Sequence, residues 1–109
     1  MKLAIIGSRN IKVIDIDRSI TEKPDEIVSG GTIGVDTCAS EFARKNGLKL
    51  TEFLPDYNKY GNAAPIVRNK QIVDYADKIL IFWDGSSKGT LSVIKYSKKT
   101  NKPHEIIIN

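Results

Sequence analysis

Three observations predict a single α/β domain of three layers, helices on both faces of a five-stranded, mainly parallel sheet of order 3-2-1-4-5. Short apolar runs alternate with stretches of helical period, the pattern of strands covered on both sides by helices. Glycine and hydroxyl residues gather just after three of those runs, where a parallel strand hands over to the next segment. The length, 109 residues, suits one core and no more.

The first strand is Leu3-Ala4-Ile5-Ile6, ending at Gly7-Ser8-Arg9. In the next segment Val13, Ile16 and Ile20 share a helical face, while Ile14-Asp15-Ile16-Asp17 alternates like a strand; a helix ending before Pro24 is expected. Glu26-Ile27-Val28-Ser29 is the second strand and runs straight into Gly30-Gly31. From Gly34 to Asn46, Val35, Cys38, Ala39, Phe42 and Ala43 fall at i, i+3, i+4, i+7 and i+8, an amphipathic helix closed by Asn46-Gly47. Leu48 to Leu54 follows as a strand whose Lys49, Thr51 and Glu52 mark an exposed edge.

A polar loop from Pro55 to about Asn62 precedes a third helix, Ala63 to Tyr75, expected to bury Ile66, Val73 and Ala76. Lys78-Ile79-Leu80-Ile81-Phe82 is a buried strand, and Trp83 to Gly89 a glycine-bearing loop. The last helix, Thr90 to Thr100, turns Leu91, Ile94 and Ser97 inward and Lys95, Lys98 and Lys99 outward, and stops at Asn101-Lys102-Pro103. Glu105-Ile106-Ile107-Ile108 completes the sheet, so residues 1–109 are expected to form one domain of five strands and four helices. Right-handed crossovers then give the doubly wound strand order.

With 40% hydrophobic and 28% charged residues the chain lies far from compositions that stay disordered. Lys and Arg exceed Asp and Glu by 17 to 13, a net charge of +4 that favours anionic partners, phosphorylated small molecules as well as nucleic acid. One cysteine, Cys38, and one histidine, His104, exclude an internal disulfide and a four-ligand zinc site, so no metal or other cofactor is expected. The first apolar run, Leu3 to Ile6, is shorter than the roughly 7–15 residues of a signal-peptide core, and a cytoplasmic protein without membrane contacts is expected.

In such sheets ligands bind beyond the carboxyl ends of the strands, where strand order reverses, here between the first and fourth strands. Three segments meet there: Gly7-Ser8-Arg9, Ser29 to Gly34, and Trp83 to Thr90. A glycine-rich turn opening a helix presents unpaired backbone N–H groups and the positive end of the helix dipole, a cradle for phosphate or carboxylate. Ser29, Thr32, Ser86, Ser87 and Thr90 add hydroxyls. The alternative is that the glycines only make tight turns. Neither loop has Walker or Gly-x-Gly-x-x-Gly spacing.

Arg9 and Arg68 are placed to grip an anion bidentately, or to stand in solvent. Asp36 either caps its helix or accepts from a ribose hydroxyl. Cys38 reads as a small buried hydrophobe and His104 as structural. Tyr57, Tyr60 and Trp83 either stack on a base or pack against the domain itself.

Taken in order, Gly7-Ser8-Arg9, Ser29-Gly30-Gly31 with Gly34-Val35-Asp36, Arg68-Asn69, and Asp84-Gly85 with Gly89-Thr90 resemble the SLOG superfamily of Rossmann-like domains. That superfamily includes small YpsA-related proteins, to which the likeness is strongest, and more distantly the lonely-guy (LOG) phosphoribohydrolases and DprA. The resemblance spans Lys2 to about Ile107. It implies a nucleotide or nucleotide-derived ligand, such as an ADP-ribose derivative, over Gly7, Ser8, Arg9, Ser29, Gly30, Gly31, Thr32, Gly34, Asp36, Arg68, Asn69, Asp84, Gly85, Gly89 and Thr90.

The LOG motif Gly-Gly-x-Gly-Thr continues Leu-Glu-Glu, whereas here Gly89-Thr90-Leu91 is followed by Ser92-Val93 and Asp84 replaces the first glycine. With the family glutamate absent, Asp36 and Asp84 are the candidate carboxylates should the chain cleave an N-glycosidic bond. DprA-like nucleic-acid binding is a further alternative, resting on Lys59, Arg68, Lys70, Lys88, Lys95, Lys98 and Lys99. Pairing among relatives makes a homodimer compatible with the resemblance.

Overall fold

Residues 1–12, 14–31 and 33–108 are described in the computed structural model. Five strands, β1 (Lys2–Gly7), β2 (Glu26–Ser29), β3 (Lys49–Glu52), β4 (Lys78–Trp83) and β5 (His104–Ile108), form one sheet. All four pairings are parallel, in the order β3-β2-β1-β4-β5 that the sequence predicts. Between them lie α1 (Ile16–Ser19), α2 (Val35–Lys45), α3 (Tyr57–Tyr60), α4 (Ala64–Tyr75) and α5 (Lys88–Lys99).

Successive residues of a strand point to opposite faces, and each central strand feeds two cores. Leu3, Ile5, Ile27, Leu80 and Phe82 face Val35, Ala39 and Ala43 of α2. Ala4, Ile6, Val28, Ile79 and Ile81 face Ile72 and Val73 of α4 and Val93 and Ile94 of α5. Burying each such aliphatic side chain is worth about 1.5–3 kcal/mol, which makes these two layers the main source of stability. As expected, β3 is the exposed edge.

Several local expectations are corrected. The helix foreseen before Pro24 is a single turn, α1; Val13, assigned to its face, lies outside the described residues. Asp15 caps the start of α1, the side chain accepting from Arg18 N (3.1 Å) and the carbonyl from Ser19 Oγ (3.1 Å), and the turn ends at Ile20, whose backbone is extended (φ −96°, ψ 124°). Buried Ile11 and Ile16 hold this irregular segment on the α2 core. The supposed loop 55–62 contains α3, capped by Asp56, and runs into a 3-10 turn at Gly61–Ala63.

On α4 the inward residues are Ala64, Arg68, Ile72 and Val73, while Ile66 is 49% exposed. Ile66 stands two residues from both Ala64 and Arg68, about 200° around the helix from each, and so faces away from the buried stripe they form. On α5, which begins at Lys88, the buried set is Thr90, Val93, Ile94 and Ser97; Leu91 is half-buried because it stands at the border of a stripe in which the polar Thr90 takes an inward place.

Candidate functional site

At the carboxyl ends of β1, β2 and β4 a cleft of about 410 Å³ opens toward the first turns of α2, α4 and α5. Its volume falls in the lower part of the roughly 300–1,000 Å³ usual for small-molecule sites. The floor is Ile6 and Gly7. Gly7 admits no side chain: a Cβ there would stand 2.4 Å from Val35 Cγ2 and 2.6 Å from the Phe82 carbonyl oxygen. Close approach of α2 to the sheet therefore requires glycine at this strand end. Gly34 opens α2 at φ +78°, where a Cβ would meet the Arg9 carbonyl oxygen at 2.6 Å.

Ser8 knits the first and last loops together. Its amide donates to the Phe82 carbonyl (3.1 Å), and its buried hydroxyl accepts from Asp84 N (3.3 Å) and lies 3.5 Å from Thr90 Oγ1. The loop into α5 is held by Asp84, whose Oδ1 accepts from Ser86 N (2.9 Å) and Ser87 N (2.8 Å). Those two backbone donors, helped by Asn10 and Ser8 side chains against a small burial penalty, pull the Asp84 carboxyl down to about 2. Ser87 then caps α5 by accepting from Thr90 N (3.3 Å), and its carbonyl accepts from Trp83 Nε1 (3.1 Å). The first turn of α5 carries no acidic residue.

Arg68 projects from α4 into the cleft wall and is only 9% exposed. Its Nη1 donates to the carbonyls of Gly30 (2.8 Å) and Phe53 (3.3 Å), and Nε donates to Asn69 Oδ1 (2.8 Å). Among the described residues no acceptor engages Nη2. Burial draws the guanidinium below its ordinary value, and Asp36 partly offsets this. Asp36, 7% exposed in the first turn of α2, converges on the same point: a Cβ on Gly30 would lie 2.7 Å from Arg68 Nη1 and 3.1 Å from Asp36 Oδ2.

Of the residues singled out from sequence, Gly7, Ser8, Arg9, Gly30, Asp36, Arg68, Asn69, Gly89 and Thr90 line this one cleft. Ser29, Gly31, Gly34, Asp84 and Gly85 stand behind it and shape its loops; Ser29 Oγ, for instance, accepts from Gly31 N (3.3 Å). Thr32 lies outside the described residues. Ser87, expected from sequence to add a hydroxyl, lines the cleft too, as do Asn10, Pro65, Ile6 and Ile72, which the motifs do not single out. Asn10 directly follows Arg9 in a loop already placed there, so position alone could have found it. Pro65 and Ile72 carry no motif and enter only through the packing of α4.

Of the seven basic residues considered for nucleic acid, Arg68 alone lines the cleft; Lys59 and Lys70 lie over the rings of Tyr60 and Tyr96. Cys38 is half-buried instead of fully buried, and its thiol donates to the Lys12 carbonyl (3.2 Å). His104 Nδ1 donates to the Lys102 carbonyl (2.8 Å), away from the cleft, a structural contact as expected. Among the described residues no helix is long and apolar enough to cross a membrane. Comparison with protein-family models, with curated proteins and with solved structures finds no match to this chain.

Proposed function

We propose that this chain binds a nucleotide or nucleotide-derived phosphorylated ligand, an ADP-ribose derivative among the candidates, in the cleft at the carboxyl end of its sheet. The observation that carries the reading is Arg68. A guanidinium is costly to bury, and here it is buried beside Gly30 with, among the described residues, partners on Nε and Nη1 alone. A phosphate oxygen is the acceptor that would use the remaining Nη2 edge.

The first turn of α5 complements it. Gly89 leaves the backbone bare and Thr90 adds a hydroxyl, beside a helix end whose dipole favours anions. Arg9, exposed at the rim, is free to close over the ligand once it is seated. The SLOG resemblance points to the same ligand class.

Hydrolysis of an N-glycosidic bond is the second reading, favoured by one observation: Asp36 lines the cleft, whereas Asp84 is committed to the backbone of the α5 loop. Isothermal titration with a panel of nucleotides and ADP-ribose derivatives tests the binding proposal. Binding weakened at least tenfold by Arg68→Leu is expected, and no binding across the panel would overturn it. Free base released during the same incubations, and abolished by Asp36→Asn, would favour the hydrolase.

A further inference from the structure

The two outer strands of the sheet are built differently. Among the described residues nothing pairs with the free side of β3 or of β5. The β3 edge is blunted in the usual way, for the strand is four residues long and carries Lys49 and Glu52. The β5 edge has no such device. It runs for five residues without a proline and sets Ile106, Ile107 and Ile108 in a row, the last of them 66% exposed. Its one acidic side chain, Glu105, lies 3.9 Å from the Lys78 ammonium.

Parallel pairing engages alternate residues of an edge strand. With His104 opposite Ile79, and Ile79 N donating to the Pro103 carbonyl (3.0 Å), the bonds to β4 fall to Pro103, Glu105 and Ile107. The N–H and C=O groups of His104, Ile106 and Ile108 therefore point outward.

The helix beside this edge supplies its charge. Tyr96 of α5 turns toward α4, its hydroxyl donating to Asp74 Oδ1 (2.8 Å) and its ring facing the Lys70 ammonium. At about 100° per residue, Leu91, Lys95 and Lys98 fall on the opposite flank, which overlooks the free side of β5 because α5 connects β4 to β5. Lys95 and Lys98 are exposed, and no ion pair engages them among the described residues. Two copies paired through β5 about a dyad would bring these lysines against their own equivalents, so like charge opposes a second copy here.

We infer that the free edge of β5 accepts an extended acidic segment of another protein as an added strand. Its main chain bonds to His104, Ile106 and Ile108, and its carboxylates meet Lys95 and Lys98. Side chains alternate along a strand, so the acidic residues occupy every second position and those between lie on the α2 face, beside the half-buried Ile107. Acidic residues alternating with apolar ones are the pattern this edge fits.

The test uses the full chain and a capped peptide of about six residues alternating glutamate with valine. One control peptide replaces glutamate with lysine. The other is N-methylated along its backbone, which keeps the charges and removes the main-chain donors. Fluorescence anisotropy is expected to show the acidic peptide binding at least about tenfold more tightly than either control. Hydrogen exchange should slow at the His104, Ile106 and Ile108 amides when it binds. Lys95→Glu combined with Lys98→Glu changes two exposed side chains, folds by circular dichroism, and should turn the preference toward the lysine peptide. No binding of the acidic peptide, equal binding of the methylated one, or no protection of the three amides overturns the docking edge. An unchanged preference in the double variant overturns the acidic partner. A chain that dimerises by itself with those amides protected overturns the proposal in favour of a second copy.

Discussion

The two ends of one sheet treat charge in opposite ways. At the amino-terminal edge polar groups end on one another. The buried Glu26 carboxylate accepts from the hydroxyls of Tyr75 (2.6 Å) and Thr51 (2.7 Å), with the Lys49 ammonium 3.6 Å away. The Lys2 ammonium sits 4.2 Å from the Tyr75 ring centroid, and the Lys2 amide donates to Asp77 (2.7 Å). At the carboxyl edge, by contrast, Arg68 is fixed by main-chain carbonyls and Asn69, and keeps one edge of its guanidinium unused by described residues. Strands that need both ends satisfied to fold have been closed at one end by mutual pairing. The other end is propped open by glycine and backbone, the arrangement a binding cleft requires.

This contrast can be broken from either side. The largest effect is expected at the cleft floor: Gly7→Val forces a side chain against Val35 and the Phe82 carbonyl, and should cost about 3 kcal/mol or more in urea denaturation. A tolerated Gly7→Val would mean the floor is not built on close packing. At the closed end, Glu26→Ala strands the Tyr75 and Thr51 hydroxyls and should cost about 1–3 kcal/mol at neutral pH.

That closed end also sets a pH signature. Burial alone would raise the Glu26 carboxyl, but the hydrogen bonds from Tyr75 and Thr51 and the Lys49 charge outweigh it and hold it below its ordinary value. The stabilisation is therefore present above the unfolded-chain value of about 4.3 and disappears as pH falls through the lower folded value. Denaturation repeated in steps from neutral pH to about pH 3 should show the gap between wild type and Glu26→Ala shrinking. A constant gap would dissociate Glu26 ionisation from stability.

The smallest stability effect is expected at Gly30→Ala, where the added methyl meets the movable ends of Arg68 and Asp36 instead of backbone. Folding should change by about 1 kcal/mol or less, the worth of the disturbed Arg68 hydrogen bond, while nucleotide affinity drops about tenfold. Equal damage to stability at Gly7 and Gly30 would erase the distinction between floor and wall.

The sheet was legible in the sequence because buried parallel strands are continuous apolar runs, and Leu3 to Ile6 and Ile79 to Phe82 have no competing reading. The glycine loops were legible for the same reason: topology puts them at strand ends whatever their details. Periodicity failed where polar residues took apolar places. Arg68 occupies an inward position on α4 that a hydrophobic pattern skips, so Ile66 was read as core in its stead. The helix that Ile16 and Ile20 seemed to support stops after one turn because Ile20 is itself in extended backbone, which apolar spacing does not reveal. The two bonds that Asp84 Oδ1 accepts from Ser86 N and Ser87 N depend on a turn that a residue list does not reveal.

The parallel topology has a thermodynamic consequence. Residues lining the cleft come from positions as distant as Ile6 and Thr90, brought together only when β1, β2 and β4 are paired and both helix layers are docked. Any form in which these central strands or helix layers come apart loses the site, so anything it binds is linked to their unfolding. A ligand at a hundred times its dissociation constant should add about 2.7 kcal/mol to the folded state. For a chain of this size such a gain moves the melting temperature by more than 10 °C, taking about 4–8 °C per kcal/mol. Thermal denaturation in the presence of candidate metabolites is thus a direct readout of which of them this fold was built around.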